Sequence, residues 1–406
     1  MFWRIGIISL VLVIPFSIWL APGFVAVATE WVVFFAPLWL PPLLLIITIP
    51  LWLTYVRSQY AYHIPYTVLE LKPGDKTLET AHAMELVLYS LHRRTELSRI
   101  KAFLLGEFRV PWSFEITATA GTVRFFMRIP RAHRQALEMR IRSEYKDIDI
   151  DEIRDYARVT HFDATTMKLS AREYALTQSD PYPLKTYDMY TPDNHKKDIP
   201  PFYDLTKQLL SVGEQEYLYI SYTVRPHQLT EKAFWRQESD TLHRDAQFEI
   251  TKLLGAGGDI RSANERVQKQ VAAIETALKK PAFDCGIRAL YFADKTRFND
   301  SRVQTLDTLF DAFNDTELNS LVAHNPREYI TWPLSDIFNA VPFLYENYMH
   351  YLYRRRAFFA PPHYGKTFVL NTAELATLYH VPQMRRANTL SHASGKRLEP
   401  PENLPV

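Results

Sequence analysis

Cysteine is almost missing from this chain of 406 residues, where Cys285 stands alone. One thiol rules out an intramolecular disulfide and any cysteine-based zinc site. Its surroundings, PAFDCGIRALYF, are apolar, which assigns it to a core as a small hydrophobe rather than to a reactive site. Net charge is equally scarce: 47 basic residues stand against 45 acidic ones, leaving +2. That balance excludes the global basic surplus of a protein made mainly to coat nucleic acid. Common catalytic signatures are missing too. The histidines form no HExxH pair, and no GxSxG elbow occurs. Gly365-Lys366-Thr367 matches the end of a phosphate-binding loop, but Ala360 stands where its first glycine is required. Pro361 and Pro362 have no N–H to offer a phosphate. The glycines of GAGGD (Gly255, Gly257, Gly258) fall inside a polar helical stretch and read as a turn. The carboxylates of EYKDIDIDEIRDY alternate as in an edge strand and do not define an acid/base pair. No enzyme activity, cofactor or metal is therefore expected.

What the chain does have is apolar sequence at its start. Ile5 to Val27 and Trp31 to Val56 are both free of charge. As helices they would reach roughly 35 and 39 Å, longer than the ~30 Å hydrocarbon core of a bilayer. Trp3, Trp19, Trp31, Trp39, Trp52 and Tyr55 sit near the ends, where aromatic rings favour the interface. Pro15, Pro37, Pro41, Pro42 and Pro50 are expected to kink or break these helices. Arg4 precedes the first run, Glu30 marks the turn and Arg57 follows the second. The positive-inside rule then places both ends, and the main domain, in the cytoplasm. Ala26-Val27-Ala28 also resembles a signal-peptidase site. Cleavage there would leave the second run as a stop-transfer segment and the same orientation.

Beyond a linker at 57–66, the patterning predicts an α+β protein. TVLELKP reads as a strand, LETAHAMELVLYSLHR as a helix, and WSFEITATAGTVRFFMRIP as two strands joined at Ala120-Gly121. RAHRQALEMRIRSEYK is an amphipathic helix and DIDIDEI a last short strand. This β-α-β-β-α-β order over 67–155 is the ferredoxin-like arrangement. Residues 156–320 repeat the theme: REYALTQ, EYLYISYTVRP and FDCGIRALYFADK are strands, while PPFYDLTKQLLSV and SRVQTLDTLFDAFND are helices. Residues 229–281 are expected to form a helical insertion, two antiparallel helices about the glycine break, able to meet a partner or to pack on its own sheet. The remainder, 321–406, reads as helical and extended, with Asn371-Thr372 capping AELATLYH.

Two arginine groups are candidate nucleic-acid or membrane-surface contacts. Arg131 and Arg134 belong to a cluster around one helix, and Arg354, Arg355 and Arg356 form a triplet beside aromatics. The competing interpretation is a solvated helix face, or contact with an anionic leaflet.

Several strings together resemble a family. They are AMELVLYSLH, PWSFEITATAGTVRFFMRIPR, IRSEYKDIDIDEI, KPAFDCGIRALYFA, FFAPP, FVLNTAELATLYHVP and PPENLP. The chain resembles an uncharacterised membrane-anchored region of bacterial type IV secretion and conjugation-like systems, which in many relatives precedes a coupling-type, helicase-like ATPase. The sequence ends at Val406 without a Walker motif. The resemblance implies a noncatalytic, multi-pass platform in the bacterial inner membrane, docking a separately encoded ATPase. It points to Pro400, Pro401, Asn403, Leu404 and Pro405 as candidate partner-binding residues. A homo-oligomer is compatible with that role, because such motors are often hexameric. The alternative is a membrane-tethered nucleic-acid-binding module.

Overall fold

The computed structural model describes residues 22–74, 81–92, 98–190, 201–227, 232–233, 236–237, 241–255, 260–326, 340–360 and 363–382. Helices Pro22–Phe34 and Ala36–His63 come first. The second is 28 residues long and is the one described helix long and apolar enough to span a membrane. It runs through Pro41, Pro42 and Pro50 as one continuous helix, so these prolines do not break it. Thr54 Oγ1 donates to the Pro50 carbonyl at 2.8 Å. The expected pair of spans is not supported among the described residues, since most of Ile5–Val27 lies outside them. The helix also runs on to His63, so the expected linker is mostly its last two turns.

Among the described residues thirteen strands follow, and nine form one sheet. The first four are β1 (Tyr66–Pro73), β2 (Trp112–Thr119), β3 (Thr122–Pro130) and β4 (Ile148–Ile153). They interleave with helices Ala81–Leu91 and Arg134–Glu144. The β2–β3 turn places Ala120 at φ 48° and Gly121 at φ 69°, a tight hairpin conformation for which glycine is suited. Its tip is fastened to the rest of the chain: Ala120 and Gly121 donate N–H bonds to the carbonyls of Gly213 and Val212 at 3.0 and 2.8 Å.

The second half supplies β5 (Met167–Leu176), β6 (Glu216–Pro226), the two-residue β7 (Lys232–Ala233) and β8 (Arg236–Gln237), β9 (Ala282–Asp294) and β10 (Leu321–His324). Sheet order is β10-β5-β9-β6-β2-β3-β1-β4, and every neighbouring pair is antiparallel. The order is mirrored about β2 and β6, whose ladder pairs Trp112–Thr119 with Tyr217–Val224. The two α+β units expected from the sequence are thus halves of one large antiparallel sheet in a mixed helix–sheet fold that is not specifically ferredoxin-like. β11 (Phe359–Ala360) and β12 (His363–Tyr364) form a small ladder of their own. β13 (Phe368–Asn371) pairs with the start of β9, alongside β5, which takes the rest of the same edge.

One sheet face is apolar. Leu69, Ile116, Phe125, Ile220, Cys285 and Ile287 meet Met84, Leu137, Leu205, Leu306 and Leu375 from five helices in a single core. Strand alternation produces this: β9 sends Phe283, Cys285, Ile287, Ala289 and Tyr291 to that side. The covering helix Thr372–Leu378 starts with a capping box, in which Asn371 accepts the Ala373 and Glu374 N–H groups and Glu374 accepts the Asn371 N–H. The first helix of the insertion begins later than expected. Its helices are Thr241–Leu254 and Glu265–Leu278, on a small core of Tyr182, Ala246 and Ile274, while residues 232–237 include the β7–β8 ladder.

Candidate functional site

The opposite sheet face carries a charged row beside an apolar patch. Register places Glu173, Arg288, Ser221 and Glu115 side by side across β5, β9, β6 and β2. A long C-terminal segment closes over them. Helix Ala340–Arg355 packs Tyr345, Met349, Leu352 and Tyr353 against Leu169, Ala171, Leu290 and Phe292, and the chain then crosses the charged row.

At the helix end Arg356 occupies the left-handed region at φ 50°, a position usually given to glycine. Its N–H bonds to the Tyr353 carbonyl at 2.9 Å, and the Ala357 N–H to the Leu352 carbonyl at 3.0 Å. These are the two bonds of a Schellman cap. A left-handed arginine costs about 1–2 kcal/mol of backbone energy, and its side chain supplies the compensation. Nε and Nη2 donate to Glu115 at 2.7 and 2.9 Å, and Nη1 and Nη2 to Asp155 at 2.8 Å each. Nη1 also donates to the Arg354 carbonyl at 2.9 Å. All five guanidinium N–H groups are therefore used.

Glu115 is fully buried and equally committed. Besides Arg356 it accepts from Ser113 Oγ at 2.5 Å and Tyr156 OH at 2.6 Å. Burial pushes its carboxyl up, but the Arg356 charge and the hydrogen bonds from Arg356, Ser113 and Tyr156 outweigh that and hold it below the usual range. Four donors fill a carboxylate's acceptor positions, so Glu115 has none left for a substrate proton. The cluster can lock a segment in place; as arranged it is not set up as a general base.

Two further ionic groups lie under the same segment. Arg288 donates to Glu173 at 3.0 and 2.5 Å and to the Ala357 carbonyl at 3.1 Å, while His363 Nε2 lies 3.1 Å from Glu173. Burial works against ionised Glu173, yet hydrogen bonds and charge from His363 and Arg288 bring its pKa down to about 2. Asp284 meets Arg225 at 2.8 Å, Arg109 at 3.2 Å and His227 at 2.5 Å. Phe358 descends between these groups: a Cβ added at Gly286 would lie 2.2 Å from its ring. Only glycine admits the strap that close.

The sequence-selected residues are distributed as follows. Arg131 is exposed in a short 3-10 turn, and its N–H bonds to the Pro65 carbonyl at 2.8 Å. Arg134 pairs with Glu138 at 2.6 Å and with Glu152. The triplet divides. Arg354 and Arg355 are exposed, and Arg355 lies over the rings of Tyr351 and Tyr62 at 5.2 and 5.9 Å. Arg356 is 4% exposed and cannot be a surface contact, because the helix ends by turning it inward onto Glu115. Pro400, Pro401, Asn403, Leu404 and Pro405 lie outside the described residues. Sequence reasoning missed Glu115, Asp155, Glu173 and Arg288 as a set; the one available signal was charge at alternate positions of otherwise apolar strands. Gly365 packs on Phe358, and β13 follows the Gly365-Lys366-Thr367 string, so no helix opens there. Among the described residues no cluster of three or more His, Cys, Asp or Glu side chains is placed to hold a metal ion.

The long apolar helix is built into this body. Trp52 Nε1 donates to the Phe103 carbonyl at 3.1 Å, the Tyr60 and Phe108 rings sit 5.5 Å apart, and β1 begins three residues after His63. No curated protein matches the chain. Residues 65–393, which contain all nine strands of the sheet, match Domain of unknown function (DUF8128), and the chain belongs to that family.

Proposed function

We propose that this protein is a noncatalytic platform subunit of a type IV secretion or conjugation-like system, anchored in the bacterial inner membrane and docking a translocation ATPase. The observation that carries the reading is the short, packed junction between the apolar helix and the sheet. Helix Ala36–His63 is fixed to residues 103–108 and enters β1 almost directly. A load applied to the domain would pass to the bilayer without a slack linker. The ionic groups under the strap serve the same purpose, since they hold the C-terminal segment to the sheet. The helices of the insertion stand on a core of their own and offer a contact arm, with Phe248 67% exposed. Arg4, Glu30 and Arg57 favour a cytoplasmic domain in a multi-pass arrangement.

The nucleic-acid alternative draws less support, because Arg134 is neutralised by two glutamates and Arg356 is buried. The test is purification of the tagged full-length chain in mild detergent, with bound proteins identified by mass spectrometry. Recovery of a Walker-motif ATPase, lost on deleting residues 399–406 or 241–278, is the expected result. A preparation carrying no ATPase would overturn the proposal, and salt-sensitive retention of DNA or RNA would favour the alternative.

A further inference from the structure

The short helix Arg99–Leu104 carries three large apolar side chains on one side, Ile100, Phe103 and Leu104, with Leu105 next to them. They are 70%, 45%, 54% and 61% exposed. Lys101 is also exposed. Four neighbouring apolar side chains left in water are costly, and such a patch marks an interaction surface.

Its position says what covers it. The Phe103 carbonyl accepts from the Trp52 indole at 3.1 Å. Gly106, at φ 68°, presses so close that a Cβ there would lie 2.4 Å from the Val56 carbonyl carbon. The patch is thereby fixed at the level of Trp52 to Val56 on the anchor helix. Arg57 is the first charge after that apolar run. Trp52 lies about 7 Å to the membrane side of it along the helix. A tryptophan followed closely by an arginine is the pattern of a bilayer boundary.

We infer that Ile100, Phe103, Leu104 and Leu105 insert into the headgroup–acyl boundary of the bilayer that holds helix Ala36–His63, forming a second, monotopic membrane contact. The inference rests on the anchoring proposed above. Burial about 5–10 Å into the boundary is the depth at which amphipathic surface helices lie. With two attachments, one through the bilayer and one along it, the sheet cannot swivel about the anchor.

The test uses the full-length chain reconstituted in phosphatidylethanolamine/phosphatidylglycerol vesicles. Leu104→Cys and, separately, Ile100→Cys are labelled with an environment-sensitive fluorophore; Cys285 is fully buried and stays unlabelled. Phe248→Cys on the insertion is the control. Flotation with the vesicles reports the anchor independently. The expected result is flotation together with blue-shifted emission at positions 100 and 104, quenched by shallow nitroxide lipids, and no quenching at 248. Flotation with unquenched, water-like emission at 100 and 104 would overturn this inference and leave the anchor standing. Blue-shifted but unquenched emission would overturn it in favour of a protein partner or a second copy. Failure to float would overturn both readings.

Discussion

Replacing Arg356 by methionine should be among the most damaging single changes in the domain. The substitution keeps an unbranched apolar stem of similar reach to the arginine's own stem but removes the guanidinium and the charge shared by Glu115 and Asp155. Asp155 retains some exposure, 16% of its side chain, and can be rehydrated; Glu115, at 0%, cannot. Leaving a buried charge without its partner costs about 3–5 kcal/mol. Ser113 and Tyr156 still donate to Glu115, which places the expected loss toward the lower end of that range. At ~2 °C per kcal/mol for a large domain, the unfolding midpoint of the full-length chain in detergent should fall by roughly 6–8 °C. Glu115→Gln alone should also destabilise, since it leaves the guanidinium short of acceptors. The double variant should cost less than the sum by at least ~1 kcal/mol, as expected for directly coupled groups. The measurement is urea unfolding followed by near-ultraviolet circular dichroism. Additive single effects, or a loss below ~1 kcal/mol for Arg356→Met, would refute the claim that this contact fastens the strap.

Two further outcomes follow from the same face of the sheet. Gly286→Ala should destabilise by about 1–3 kcal/mol through overpacking against Phe358, and the same change in a Phe358→Ala background should be close to neutral; thermal unfolding of the four proteins decides it. The lowered pKa of Glu173 gives stability that is complete above pH ~4.5 and lost as pH falls toward about 2, in total about 3 kcal/mol, so Glu173→Gln should flatten the acid limb of a midpoint-against-pH curve.

The local elements were legible because their causes are local. The alternation of Phe283, Cys285, Ile287, Ala289 and Tyr291 identified β9, and the Asn371-Thr372 cap identified the helix Thr372–Leu378. The arrangement of strands was not legible, because pairings such as β2 with β6 join distant segments and leave no short-range mark. β10, only four residues long, is too short to show a period. The charged row deceived for a physical reason. Glu115, Glu173 and Arg288 occupy alternate strand positions, where charge ordinarily means water, but here the strap replaces the water. Arg354, Arg355 and Arg356 look equivalent in sequence, yet the left-handed turn after the helix sends the third one inward. The exposed apolar patch at Ile100 to Leu105 escaped notice because six helical residues give too little periodicity to separate an exposed apolar face from a loop.

The strap also fixes when the molecule can be finished. Glu115 and Arg356 are 241 residues apart in the chain. At ~5–20 residues per second, a ribosome needs roughly 12–50 s to travel from one to the other. Late in that interval a nascent chain holds Glu115, Asp155, Glu173 and Arg288 without their cover, and β9 lacks its last neighbour, β13. The growing chain thus presents to chaperones, and to any subunit assembling during translation, a charged surface that the completed protein has sealed.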